Sequence, residues 1–113
     1  MTTTHLARMV EAFNAGHLDE VVAHTTDDYY YIDPIGGRVD GAAAHAAHMQ
    51  TILHRFPDRK IEILRSWVAN GAEFGEDRWT ATPADGGDPK ELIFATVIEL
   101  DGDRLRRWAN FTG

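Results

Sequence analysis

A chain of 113 residues with 43% hydrophobic content is enough for one packed domain, residues 1–113, and too short for two. Its net charge of −7 comes from acidic residues spread along the chain, and there is no basic stripe, so nucleic acid is not an expected partner. Cysteine is absent, which excludes disulfides and thiol nucleophiles. No apolar run nears the ~20 residues of a membrane span and the first residues lack a signal-peptide core, so a cytoplasmic protein with no membrane partner is expected.

Thr3 or Thr4 is placed to cap a first helix, in which Leu6, Met9, Val10 and Phe13 follow the i, i+3, i+4, i+7 spacing of an amphipathic face. Gly16 stops it. Leu18, Val21 and Val22 make a second, shorter helix ending near Thr25. Tyr29-Tyr30-Tyr31-Ile32-Asp33 then reads as a strand, closed by the turn residues Pro34-Ile35-Gly36-Gly37. Asp40 stands where an N-cap belongs, ahead of an alanine-rich helix over 41–56. The apolar or semi-polar stripe of that helix runs His45, His48 or Met49, Ile52 and Phe56. Strands over 60–69 and 72–82 flank Asn70-Gly71, a strong hairpin signal. A Gly/Asp/Pro loop over 83–89 leads to strands over 91–100 and 104–112, joined at Asp101-Gly102-Asp103. The order ααβαββββ, helices first and strands last, predicts an α+β fold with helices on one face of a largely antiparallel sheet. A pocket is expected between the two layers.

Side chains alternate along a strand, so Tyr29, Tyr31 and Asp33 share one face. If that face looks into a cavity, desolvation raises the Asp33 pKa and makes it a proton acceptor. The other reading is that Asp33 accepts backbone hydrogen bonds in its own turn, as aspartate before proline commonly does.

The element order carries three further signatures. Phe13-Asn14-Ala15-Gly16-His17-Leu18-Asp19 follows the first helix, Asp33-Pro34-Ile35-Gly36 closes the first strand, and Asp101-Gly102-Asp103-Arg104-Leu105-Arg106-Arg107-Trp108 opens the last. Together they resemble the nuclear transport factor 2-like superfamily, specifically its ketosteroid isomerase and SnoaL-like polyketide cyclase branch, over essentially the whole chain. The resemblance implies a cone-shaped α+β barrel, a strongly curved mixed sheet wrapped around a long helix, with an apolar pocket open at one end. It also implies a homodimer through the outer face of the sheet; a small apolar oxygenated substrate, and no cofactor or metal, are expected. In the isomerases the general base sits in an Asp-Pro-x-Gly turn, the position Asp33 holds here. Two departures are plain: Met9 stands where the isomerases carry an oxyanion tyrosine, and Thr96 where they carry a protonated aspartic acid. Residues 108–112 hold no carboxylate at the position of the cyclases' acid/base aspartate. Steroid isomerisation by the familiar route is therefore not expected.

In such a cone His48 falls near Asp33, and the pair can share proton traffic. Tyr31 completes the catalytic set, as a hydroxyl donor to a substrate oxygen. Tyr29, Trp79, Thr96, Trp108, Asn110, Met9 and Ile52 are the expected substrate-binding residues. Asp77 shares a strand face with Trp79 and is a second carboxylate, expected to be solvated. Trp67, like the other tryptophans, is a wall or an interface anchor. His45 and His48 are three apart, a spacing that permits metal ligation with Asp33, but no further ligand has a motif spacing. His5, His17, His24 and His54 read as surface residues. Two functions follow: an enzyme with Asp33 as base in isomerisation, cyclisation, dehydration or epoxide opening, or a ligand-binding, dimerising module without turnover.

Overall fold

Thr4 Oγ1 accepts a hydrogen bond from the Ala7 N–H at 3.1 Å, and α1 (His5–Ala15) runs from there to Gly16. The φ of Gly16 is 81°, the left-handed turn that glycine takes without strain. The computed structural model describes residues 4–112, so Thr3, the alternative cap, lies outside the described residues. α2 (Leu18–Val21) follows, then β1 (Thr25–Asp33), β2 (Gly37–Asp40), α3 (Ala42–Arg55), β3 (Lys60–Ala69), β4 (Ala72–Ala81), β5 (Lys90–Asp101) and β6 (Arg104–Phe111). Asn70 and Gly71 join β3 to β4 with φ of 53° and 74°, the positive angles that a two-residue hairpin turn needs. No described helix is long and apolar enough to cross a membrane.

The six strands form one sheet in the order β2-β1-β6-β5-β4-β3. All neighbours are antiparallel except β1 and β6, which run parallel, so the sheet is mixed. Register shifts between Thr25 and Tyr30, Ile63 and Arg65, and Glu99 and Leu100 bend it without closing it. Its concave face carries both longer helices, α1 packing toward β3 and β4 and α3 toward β1 and β2. Leu6, Met9, Tyr29, Met49, Ile98 and Leu105 fill the centre.

One strand escapes the sequence reading. Gly37–Asp40 is too short and polar to show a period, yet it pairs along β1 from Asp33↔Gly37 to Tyr30↔Asp40. The Arg38 guanidinium lies 3.9 Å over the Tyr30 ring and bonds Asp40 at 2.7 Å, which holds this edge. Asp40 is thus a strand residue rather than a cap. Gly41 takes the N-cap position of α3 and offers no side chain for it.

The start of α1 is tied to the sheet by a buried carboxylate. Glu73 of β4 accepts from the Leu6 N–H at 2.7 Å, the His5 N–H at 3.1 Å and the His5 ring at 3.0 Å. His5 is accordingly half-buried, not a surface residue. A carboxylate on the first free N–H groups of a helix is favourable both as an acceptor and against the helix dipole. Glu73→Ala is expected to lower stability by about 2 kcal/mol, read by urea unfolding. A variant as stable as the parent would show that this tie contributes nothing.

Candidate active site

The site is built from the end of β1 outward. Asp33 Oδ1 accepts from the Ile35 and Gly36 N–H groups at 2.9 and 2.8 Å, which closes the turn into β2. That leaves Oδ2 facing α3, where the His48 ring meets it through Nε2 at 2.8 Å. Two residues before Asp33 on the same face, the Tyr31 hydroxyl stands 3.5 Å from Oδ2. Tyr31 is opposite Trp108 in the parallel β1–β6 register. One inward step further along β6, Asn110 donates from Nδ2 to the Tyr31 oxygen at 3.2 Å.

These groups border a cavity of about 490 Å³ between the helices and the sheet, within the range of small-molecule sites. Asp33, His48, Tyr31, Trp79, Trp108, Asn110 and Ile52 all line it. The rest of the wall is largely apolar, with Phe13 from α1, Met49 from α3, Ile61 from β3 and Phe94 from β5. Lys90, Glu91 and Arg55 add charge.

Three of the expected binding residues do not reach the cavity. Met9 is fully buried in the packing of α1 against the sheet. Tyr29 is also buried, and its hydroxyl pairs with His45 Nδ1 at 2.7 Å. Thr96 lies behind Asn110, bonded to it at 2.9 Å and to Asp77 at 2.5 Å.

Two electrostatic expectations are corrected as well. Partial burial does push the Asp33 pKa up, but the Gly36 and Ile35 N–H groups and the His48 ring outweigh it and hold the carboxyl below its usual range. Asp77 is not solvated: it is 1% exposed, and burial pushes its pKa up to about 6. Its Oδ1 has no hydrogen-bond partner.

His45, on the apolar or semi-polar stripe of α3, is a cavity residue that its spacing alone does not assign. It lines the wall, stacked on Tyr31 with ring centroids 4.0 Å apart, and burial pushes its pKa down to about 3. Its Nδ1 is engaged by Tyr29, and among the described residues no group of three or more metal-ligating side chains is placed to hold an ion. Burial also drives the Tyr31 pKa up, so its hydroxyl keeps its proton.

The arrangement allows proton transfer beside an apolar void. Ionised Asp33 accepts at Oδ2, so the His48 Nε2 carries a hydrogen and Nδ1 is the basic atom of the neutral ring. Tyr31 receives a hydrogen bond from Asn110 and has its own proton to give.

A curved, open α+β sheet whose concave face and helices enclose such a cavity defines the ketosteroid isomerase-like, nuclear transport factor 2-like class of fold. The profile of the SnoaL-like domain family matches residues 6–108, and the chain belongs to that family. No functionally curated protein matches it. Among solved structures it is similar to a protein with a ketosteroid isomerase-like fold from Catenulispora acidiphila in complex with trimethylamine, at 13% identity, 100% of this chain, 88% of that one and a TM-score of 0.89. It is also similar to a protein described as NTF2-like, from Exiguobacterium sp. 255-15 (16% identity, 97% and 98% coverage, TM-score 0.83). A third is an LEH-like epoxide hydrolase from M. tuberculosis (19% identity, 96% and 80% coverage, TM-score 0.80). At these identities the likeness is one of fold.

Proposed function

We propose that the protein is an enzyme of general acid/base type acting on a small, apolar, oxygenated molecule, without a cofactor. The observation that carries this reading is the 2.8 Å contact between Asp33 and His48 at the wall of a largely apolar cavity. Asp33 was expected to be the base itself. Its Oδ1 instead accepts from two backbone N–H groups, and its Oδ2 from the His48 ring. That occupancy supports a shared role: Asp33 orients the ring and balances its charge, and His48 Nδ1 takes the proton. Tyr31 donates to the oxygen that becomes negative, the part played by preorganised donors in such sites. Isomerisation, cyclisation, dehydration and epoxide opening all ask this of a site, and the M. tuberculosis relative is an epoxide hydrolase.

A second reading has an observation of its own. The two backbone bonds to Asp33 Oδ1 are what a purely structural turn would use, in a ligand-binding module without turnover. The two readings part in a hydrogen-exchange test. Apolar cyclic ketones that bind the protein are incubated in D2O, and loss of their α-hydrogens is followed by NMR. The enzyme reading expects exchange above the solvent rate that disappears in His48→Ala. Ketones that bind without exchanging, together with epoxides that bind without opening, would support the module.

A homodimer through the outer face of the sheet belongs to the same proposal, as does a cytoplasmic setting. The outward sides of β3, β4 and β5 align Trp67, Phe74 and Val97 in one cross-strand row, and Ala95 faces Phe111 in the next. Trp67 is 49% exposed and Phe111 44%, apolar area that a partner would cover. Trp67→Glu is expected to convert a dimer into a monomer by sedimentation velocity with the fold intact. A parent protein that is monomeric at micromolar concentration would end this part of the proposal.

A further inference from the structure

A row of hydrogen bonds leads from the cavity into the sheet, and its polarity can be read from donors that have no alternative. The Trp108 Nε1–H can only donate, and it donates to Asn110 Oδ1 at 3.1 Å. The amide of Asn110 is therefore oriented with its oxygen toward Trp108 and its Nδ2 toward Tyr31, 3.2 Å away. Thr96 Oγ1 sits 2.9 Å from that same amide oxygen, which accepts only, and 2.5 Å from Asp77 Oδ2. The hydroxyl of Thr96 has one hydrogen and two oxygens to serve. If it gives that hydrogen to Asp77, it faces Asn110 with a lone pair against a lone pair. If it gives it to Asn110, the hydrogen between Thr96 and Asp77 has to come from Asp77. Only the second arrangement satisfies every contact in the row.

We propose that Asp77 is seated in the fold as a neutral acid whose proton, relayed through Thr96, sets the orientation of Asn110 at the cavity wall. Asp77 is then a positioning residue, and its ionisation turns the Thr96 hydroxyl away from Asn110 and loosens the wall beside Tyr31. The surroundings fit a neutral group. On β4, Glu76 points to the outer face, where Arg65 of β3 meets it at 3.4 Å. Glu73, two inward steps away, is engaged by His5 and the start of α1. Opposite Asp77 stand Ile63 on β3 and Phe94 on β5, and α1 contributes Leu6 at the level of Gly75. The next ionisable groups along the row are Tyr31, whose hydroxyl keeps its proton, and beyond it Asp33 and His48. Among the described residues no cation pairs with Asp77, and its Oδ1 has no donor, a lesser cost for the carbonyl of an acid than for a carboxylate. The upward pKa direction agrees with this geometry.

The protonation of Asp77 does not depend on whether the cavity turns over a substrate. NMR of the full chain labelled with ¹³C and ¹⁵N tests it, following the Asp77 carboxyl and the Asn110 side-chain amide from about pH 4.5 to about pH 8.5. In the parent protein Asp77 is expected to titrate above the ordinary carboxylate range, and the Asn110 amide signals to shift with the same midpoint. Thr96→Val should leave the Asp77 titration in place while Asn110 stops following it. Asp77→Asn should abolish that step, with the Asn110 signals held at their low-pH positions. An ordinary Asp77 midpoint overturns the proposal. So does an Asn110 step that survives unchanged in Asp77→Asn, because it would then belong to the Asp33–His48 pair.

Discussion

Replacing Asp33 by asparagine is expected to cost on the order of 10²–10⁴ in kcat/KM while leaving the fold and ligand affinity in place. The turn explains both halves. Ile35 and Gly36 donate to Oδ1, so the asparagine must keep its amide oxygen there. Its NH2 group is then aimed at His48 Nε2, at the position where Oδ2 accepted. The ring can answer a donor only by accepting at Nε2, which moves its hydrogen to Nδ1. The atom meant to take a proton then already carries one, a loss of the kind known when a histidine's orienting carboxylate is removed. The check is steady-state kinetics beside a thermal melt and a binding isotherm. Turnover unchanged in Asp33→Asn would remove the pair from the chemistry.

The second large effect is on stability and depends on pH. Burial raises the Asp77 pKa from 3.8 to about 6, so the folded chain holds this proton more tightly than the unfolded one. Below pH 3.8 both states are protonated and the group costs nothing. As pH rises toward 6 the unfolded chain ionises first and stability falls; above 6 the loss is complete. At roughly 1.4 kcal/mol per pH unit over about two units, the full loss is on the order of 3 kcal/mol. Asp33 runs the other way, because its carboxyl is held low, and the stability it contributes is lost as pH falls through its folded pKa. Asp77→Asn lacks the ionisation but keeps a donor for Thr96. It is expected to gain on the parent as pH rises, by up to about 3 kcal/mol in urea unfolding near neutrality relative to about pH 4. A difference between the two proteins that stays constant with pH would contradict a raised Asp77.

The fold was legible where its determinants are local. The stripe of α1, its glycine stop, the Asn70-Gly71 hairpin and the Asp33-Pro34 turn each depend on residues within one or two turns of chain. The strand Gly37–Asp40 was not legible, because its four residues owe their extension to pairing with β1. The alternation rule put Asp77 and Trp79 on one face correctly, but the rule does not say which face a helix will cover. Asp77 was therefore read as wet when α1 and the sheet enclose it. The direction of the Asp33 shift failed for a related reason. Desolvation is suggested by apolar neighbours, whereas the stabilising N–H groups are backbone atoms that no side-chain pattern reveals. The meeting of Asp33 and His48, 15 residues apart, came from resemblance to a known fold and not from spacing.

At the centre stands one claim, that the imidazole on α3 is oriented by the carboxylate of the β1 turn so that its other nitrogen is the base. Nitrogen NMR of the His48 ring reads this directly in the neutral form. The parent protein is expected to carry a hydrogen on Nε2 and a bare Nδ1, reversed in Asp33→Asn. A parent ring with its hydrogen on Nδ1, or a tautomer indifferent to that substitution, would contradict it.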